Sequence, residues 1–87
     1  MGFDRLFFGA FELNPLRGKR VLVTGAGGTI GLELVRRVLE KFEVAECIGI
    51  DNNENAIFHL SQEFGGNPRA NFSFGDIRER DQLRILS

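Results

Sequence analysis

The chain has no tryptophan and no tyrosine, so its nine phenylalanines supply all of its aromatic surface and none of them can lend a phenolic proton. A single cysteine, Cys47, excludes an internal disulfide and fits a reducing cytoplasm; set in an apolar strand, it reads as a buried, inert thiol. The single histidine, His59, has no Cys, His or carboxylate pair at ligand spacing, which argues against a metal site. No apolar run approaches the roughly eighteen residues needed to span a bilayer, and no signal-peptide pattern is present. Charge of one sign is also lacking. Eleven basic and twelve acidic residues are interspersed and leave a net charge of −1, so neither nucleic acid nor an anionic membrane is expected as the main partner. With 87 residues the chain makes one small domain whose core is marginal, and a bound cofactor or oligomerisation is the expected extra source of stability.

What the chain does have is RVLVTGAGGTIG, Arg20 to Gly31. Val21, Leu22 and Val23 form the continuous apolar run of a strand covered on both faces. Gly25, Gly28 and Gly31 then recur every three residues. Gly25 permits a tight turn, Gly28 close approach of backbone to a pyrophosphate, and Gly31 close packing of helix on strand. The helix that follows aims unpaired N–H groups and the positive end of its dipole at the anion, with Thr29 and Ile30 in its first turn. Thr24 and Thr29 either touch phosphate or fill a strand end and a first turn.

Helical spacing continues through Ile30, Leu34, Val35, Val38, Leu39 and Phe42, predicting an amphipathic helix over roughly Gly28 to Glu43. A second strand, Glu46 to Asp51, ends in an acid. Asn52 and Asn53 follow as turn and N-cap, and Ala56, Ile57, Leu60 and Phe64 mark a second helix that stops at Gly65-Gly66-Asn67-Pro68. Phe72 and Phe74 alternate with polar or small residues in a third strand, Asn71 to Gly75. A final helix, with Leu83, Ile85 and Leu86 as its apolar residues, is expected to start near Arg78 to Asp81. The order predicts an α/β, three-layer half-Rossmann fold: a parallel three-stranded sheet, order 3-2-1, with flanking helices. Residues 18–87 make this mononucleotide-binding half, and residues 1–17 a phenylalanine-rich extension with Phe3, Phe7, Phe11 and Leu6 on one helical face. No sequence remains for a neighbour on the far side of the first strand, so that edge and the extension are expected to be buried in a homo-oligomer.

Asp51 sits where a carboxylate accepts hydrogen bonds from the adenosine ribose; the other reading is an N-cap of the second helix, for which Asn52 and Asn53 are already able. A carboxylate there repels a 2′-phosphate, which favours NAD(H), while neutral Asn52 and Asn53 leave NADP(H) admissible. Asp76 either meets the adenine amino group, with Ile77 lining the ring, or caps a helix.

Taken together, GKRVLVTGAGGTIGLELVRRVL, IDNNENAIFHLSQEF and FSFGDIRERDQL resemble the opening of the extended short-chain dehydrogenase/reductases. The closest resemblance is to the CapD-like polysaccharide-biosynthesis group that includes UDP-N-acetylglucosamine 4,6-dehydratases. The resemblance covers about Gly18 to Leu86. It implies that Gly25, Gly28 and Gly31, with Thr29 and Ile30, hold the pyrophosphate of a dinucleotide, that Asp51 with Asn52 beside it holds the ribose, and that Asp76 and Ile77 hold the adenine. The family pairs a Tyr-x-x-x-Lys tyrosine, as acid/base, with hydride transfer at a sugar carbon, and this chain lacks tyrosine. The expectation is a cofactor-binding half without catalytic residues, active only if complemented by a second chain, or otherwise a structural fragment.

Overall fold

The computed structural model describes residues 16–77 and 81–86. The phenylalanine-rich extension up to residue 15 lies outside the described residues. Six elements follow in order: β1 (Arg20–Thr24), α1 (Thr29–Lys41), β2 (Glu46–Asp51), α2 (Glu54–Phe64), β3 (Ala70–Phe74) and β4 (Leu83–Ile85).

β1 forms because its apolar run satisfies both faces of a sheet, and Val21, Leu22, Val23 and Thr24 are all buried. It pairs parallel with β2, Val21 opposite Cys47 and Val23 opposite Gly49, and β2 pairs parallel with β3, Cys47 opposite Ala70. Right-handed crossovers moving in one direction across a sheet put both helices on the same side. The core shows this: Leu34, Val35, Val38 and Leu39 of α1 and Leu60 of α2 close on Val21, Val23 and Cys47, with Ala70 and Phe72 packed against them. All five of these strand residues share one face of the pleat. The described residues therefore make two layers and not the three expected. The other face carries Leu22, Ile48 and Ile50, with Arg20 donating to Glu46 (3.0 Å) and Asn71 donating to the same carboxylate (2.6 Å).

Two further expectations fail together. The sheet is four-stranded and mixed, in the order β3-β2-β1-β4, because Leu83–Ile85 is a strand lying antiparallel to β1 and not part of a helix. Residues 78–80, where the expected helix would begin, lie outside the described residues. The physical reason is the edge itself. An apolar β1 with unpaired N–H and C=O groups costs more than the one turn of helix that residues 83–86 could add, so the segment completes the ladder instead. The ladder is continued at both ends, by Leu86 N–H to the Arg20 carbonyl (2.7 Å) and by Thr24 N–H to the Gln82 carbonyl (2.8 Å). With β4 on that edge, the expected reason for joining two chains there is removed.

α1 ends without a glycine. Phe42 turns extended and Arg69, on the loop before β3, donates to the carbonyls of Leu39 (2.6 Å), Phe42 (3.1 Å) and Val44 (3.2 Å). These would otherwise include orphan acceptors of the last turn. Arg36 joins the helices on their outer side, reaching Glu63 at 2.6 Å and Glu33 at 3.2 Å, both exposed pairs of small energetic weight. Among the described residues no helix is long and apolar enough to cross a membrane.

Candidate functional site

The glycine turn leaves β1 at its carboxyl end, which places it on the rim where α/β sheets bind ligands. Gly25 has φ +60°, a left-handed conformation that a side chain would strain. Its carbonyl accepts from Gly28 N–H at 3.0 Å, closing the turn, and Ala26 N–H donates to the Ile50 carbonyl of β2 at 3.1 Å. A Cβ on Gly31 would lie 2.0 Å from the Gly25 carbonyl oxygen, so the first turn of α1 can sit on the bend only as glycine. Among the described residues, such an atom at Gly28 would meet within 4 Å only that same carbonyl, at 3.4 Å.

The amides of the turn are not all alike. Those of Ala26, Gly27 and Gly28 are spent on Ile50, Asp51 and Gly25, and Leu32 N–H reaches the Gly28 carbonyl as the first bond of α1. Thr29, Ile30 and Gly31 come earlier in the helix, where no preceding carbonyl is in register for their N–H groups. Gly28, the N-cap, has no side chain to cap them. A group of amides without helical acceptors therefore lies at residues 29–31, one step later than the bend itself. Thr29 and Ile30 are exposed, Ile30 by 68 %. Thr24, by contrast, is buried, and its hydroxyl points to the Gln82 carbonyl at 3.5 Å, so it fills a strand end.

A second group assembles beside the turn. Thr24, Gly25, Ile50, Asp51, Asn52, Gly75, Asp76 and Ile77 line one open cleft of about 120 Å³. Its floor exists because β2 and β3 end side by side, Asp51 opposite Phe74, with Gly75 N–H donating to the Asp51 carbonyl at 2.9 Å. The structure thus brings Gly25, Asp51, Asn52, Asp76 and Ile77 together, and sets Gly28, Thr29, Ile30 and Gly31 on the adjoining helix start. Asp51 does not cap α2. That role belongs to Asn53, whose side chain accepts from Asn55 N–H (2.9 Å) and Ala56 N–H (3.2 Å). The Asp51 carboxylate instead accepts from Asn53 N–H with Oδ1 and from Gly27 N–H with Oδ2, each at 2.9 Å. Capping a helix is the other reading of Asp76; Leu83 to Ile85, counted among the apolar residues of that helix, form β4 instead.

Gly27, Ile50 and Gly75 escaped the sequence reading. Gly27 is where α2 meets the turn: an added Cβ would stand 2.3 Å from the Ala56 Cβ and 3.1 Å from Asp51 Oδ2. The doublet Gly27-Gly28 was the available signal, since the three-residue spacing accounts only for the second glycine. Among the other candidates, Cys47 is buried and its thiol is pushed up to about 11, first by loss of solvent, which leaves it protonated at neutral pH. His59 is exposed on α2 with its ring edge-on to Phe58 at 5.8 Å. Among the described residues no three His, Cys, Asp or Glu side chains cluster as metal ligands do.

Similar proteins fit this geometry. The family described as "Polysaccharide biosynthesis protein" matches residues 21–86. The probable polysaccharide biosynthesis protein EpsC of Bacillus subtilis is 36 % identical over 77 residues, covering 84 % of this chain and 13 % of its own length. The capsular polysaccharide biosynthesis protein CapD of Staphylococcus aureus is 46 % identical over 48 residues, 55 % of this chain and 8 % of its own. Among solved structures, that of Pen from Bacillus thuringiensis superposes with a TM-score of 0.66 at 30 % identity, over 78 % of this chain and 21 % of Pen. The chain thus spans a small fraction of the length of each relative. On the strength of a match that runs from β1 through β4, it belongs to the polysaccharide biosynthesis protein family.

Proposed function

We propose that this chain is the NAD(P)-binding Rossmann half of a nucleotide-sugar dehydratase or epimerase of polysaccharide biosynthesis, and that it holds the adenosine-diphosphate part of the cofactor. The observation that carries the reading is the juxtaposition of two sites on one rim. Amides of residues 29–31 stand without helical partners beside Gly28, and the Asp51 carboxylate sits next to them at the mouth of a cleft ending in Asp76 and Ile77. The residues present fit the group: the helix start receives the pyrophosphate through backbone N–H, Asp51 accepts from the ribose hydroxyls with lone pairs left after its two backbone bonds, and Ile77 offers an apolar wall to the adenine. Asp76, exposed at the rim, accepts from the adenine amino group.

When bound, the nicotinamide supplies hydride transfer. The residues of this chain bind and orient the other end of the molecule, and the phenolic acid/base that the family uses at the sugar has no counterpart in a sequence without tyrosine. The chain by itself is therefore inactive on this reading, and turnover requires groups from outside it. A negative Asp51 facing the ribose disfavours a 2′-phosphate, so NAD(H) is the preferred cofactor. Titration calorimetry with NAD, NADP and ADP-ribose is the test. ADP-ribose and NAD are expected to bind alike and NADP more weakly; no heat from any of the three at millimolar ligand would remove the reading.

A further inference from the structure

Asp51 makes two bonds that a ribose-binding carboxylate does not need. Its Oδ2 accepts from Gly27 N–H and its Oδ1 from Asn53 N–H, both at 2.9 Å. One side chain thereby ties the middle of the glycine turn to the residue that caps α2. The tie is backed by contact, because Gly27 lies so close to Ala56, in the first turn of α2, that no Cβ fits between them. Asn53 completes it by holding Asn55 and Ala56 N–H.

The turn needs such a restraint. Gly27 and Gly28 are adjacent, Gly25 is in the left-handed region, and glycine backbone loses more freedom on being fixed than any other. Hydrogen bonds fix Ala26 to β2 and Gly28 to Gly25, which leaves Gly27, among the described residues, held to the rest of the fold by its hydrogen bond to Asp51. A charged acceptor makes the stronger kind of hydrogen bond to an amide. The orientation of the Gly27-Gly28 peptide in turn sets where α1 begins and hence where the N–H groups of residues 29–31 aim.

We propose that Asp51 is a positioning residue for the diphosphate turn, holding it in its anion-receiving shape before any nucleotide arrives, in addition to facing the ribose. This rests on the cofactor reading above for the identity of the anion, while the strap itself can be examined without ligand. Two roles predict opposite signs for a ligand that has phosphates and no ribose. If Asp51 serves only the ribose, its neutralisation removes a like charge near the anion, and inorganic pyrophosphate binds unchanged or more tightly. If Asp51 shapes the turn, pyrophosphate binds more weakly.

The experiment uses the full chain, isotope-labelled, as wild type, Asp51→Asn and Asp51→Ala. Asparagine nearly matches the shape of aspartate and keeps one acceptor, so it preserves the fold if alanine does not. Amide exchange by nuclear magnetic resonance is read at Gly27 and Asn53, with buried β1 amides as the control, and each protein is titrated with inorganic pyrophosphate. The expected result is exchange at Gly27 accelerated about tenfold or more in Asp51→Ala, a change of ~1.4 kcal/mol, and by less in Asp51→Asn, with β1 unchanged. Pyrophosphate affinity falls in the same order. Unchanged Gly27 exchange in both variants, or pyrophosphate binding equal to or tighter than wild type, overturns the proposal. If wild-type chain binds no pyrophosphate, Gly27 exchange alone decides the strap, and the cofactor reading stands or falls on the NAD and ADP-ribose titration.

Discussion

Two neighbouring strands of the sheet, the inner β1 and the edge strand β4, come by their shapes in opposite ways. β1 and the turn after it are dictated from within: three apolar residues in a row, a glycine where φ is +60°, another where a single methyl would strike a carbonyl. β4 is dictated from without. Its three residues pair with β1 through a ladder running from Thr24–Gln82 to Arg20–Leu86, and their outer side is largely exposed, Ile85 by 47 %. The difference separates structure that a local stretch of sequence encodes from structure that a neighbour imposes.

The strongest break is expected on the locally encoded side. Gly31→Ala puts a carbon 2.0 Å from the Gly25 oxygen and 2.7 Å from its carbonyl carbon, which only backbone displacement can relieve. A loss of about 4 kcal/mol or more is expected, enough to leave a small domain largely unfolded, and urea titration followed by circular dichroism reads it directly. A loss below about 1 kcal/mol would show that the turn yields more easily than its geometry implies.

On the imposed side the break is smaller. Leu86 N–H and the Gln82 carbonyl both face β1, and the two-residue period of an antiparallel ladder turns Arg84 N–H the same way. Arg84→Pro removes that donor at a cost of about 2 kcal/mol. Amide exchange should quicken in β4 and along the facing side of β1 while β2 and β3 stay protected. If β4 detaches with no effect on stability, β1 tolerates an open edge and that edge is not what makes Leu83 to Ile85 a strand.

Alkali acts on the inner pair of strands. The Cys47 thiol, opposite Val21, is raised from 9.0 to about 11 by burial. The unfolded chain therefore gives up this proton before the folded one does, so stability declines as pH climbs past about 9 and has lost on the order of 2 kcal/mol near pH 11. Cys47→Ala should flatten that decline, measured as melting temperature against pH. The smallest effect is at the α2 cap: Asn53→Ala leaves two N–H groups without their acceptor and costs about 1 kcal/mol.

The same contrast explains what could be read in advance. β1, α1, β2, α2 and β3 were legible, each to within a residue or two, because apolar spacing, a capping asparagine and the glycine positions act over a few residues. Leu83 to Leu86 carry no such local instruction. Their apolar residues suit a short helix as readily as a strand, and an unpaired β1 decides between them. In the site, the association of Gly25 and Asp51 with a common rim followed from the strand ends. That Asp51 would be bonded to Gly27 did not, because it depends on how closely α2 leans over the turn. The division of labour among the amides was hidden for a similar reason: which N–H groups are spent internally depends on β2 and Asp51, both distant in sequence from the bend.

The meeting of Gly27 and Ala56 has a practical meaning for anyone altering this chain. Between them there is room for one methyl group, and α2 currently owns it. A side chain introduced at 27 should be tolerated only if 56 becomes glycine, and enlarging 56 to valine should push the bend outward even though neither residue is charged. Changes at the two positions are therefore to be made as a pair, since either alone alters the shape of the rim from the opposite side.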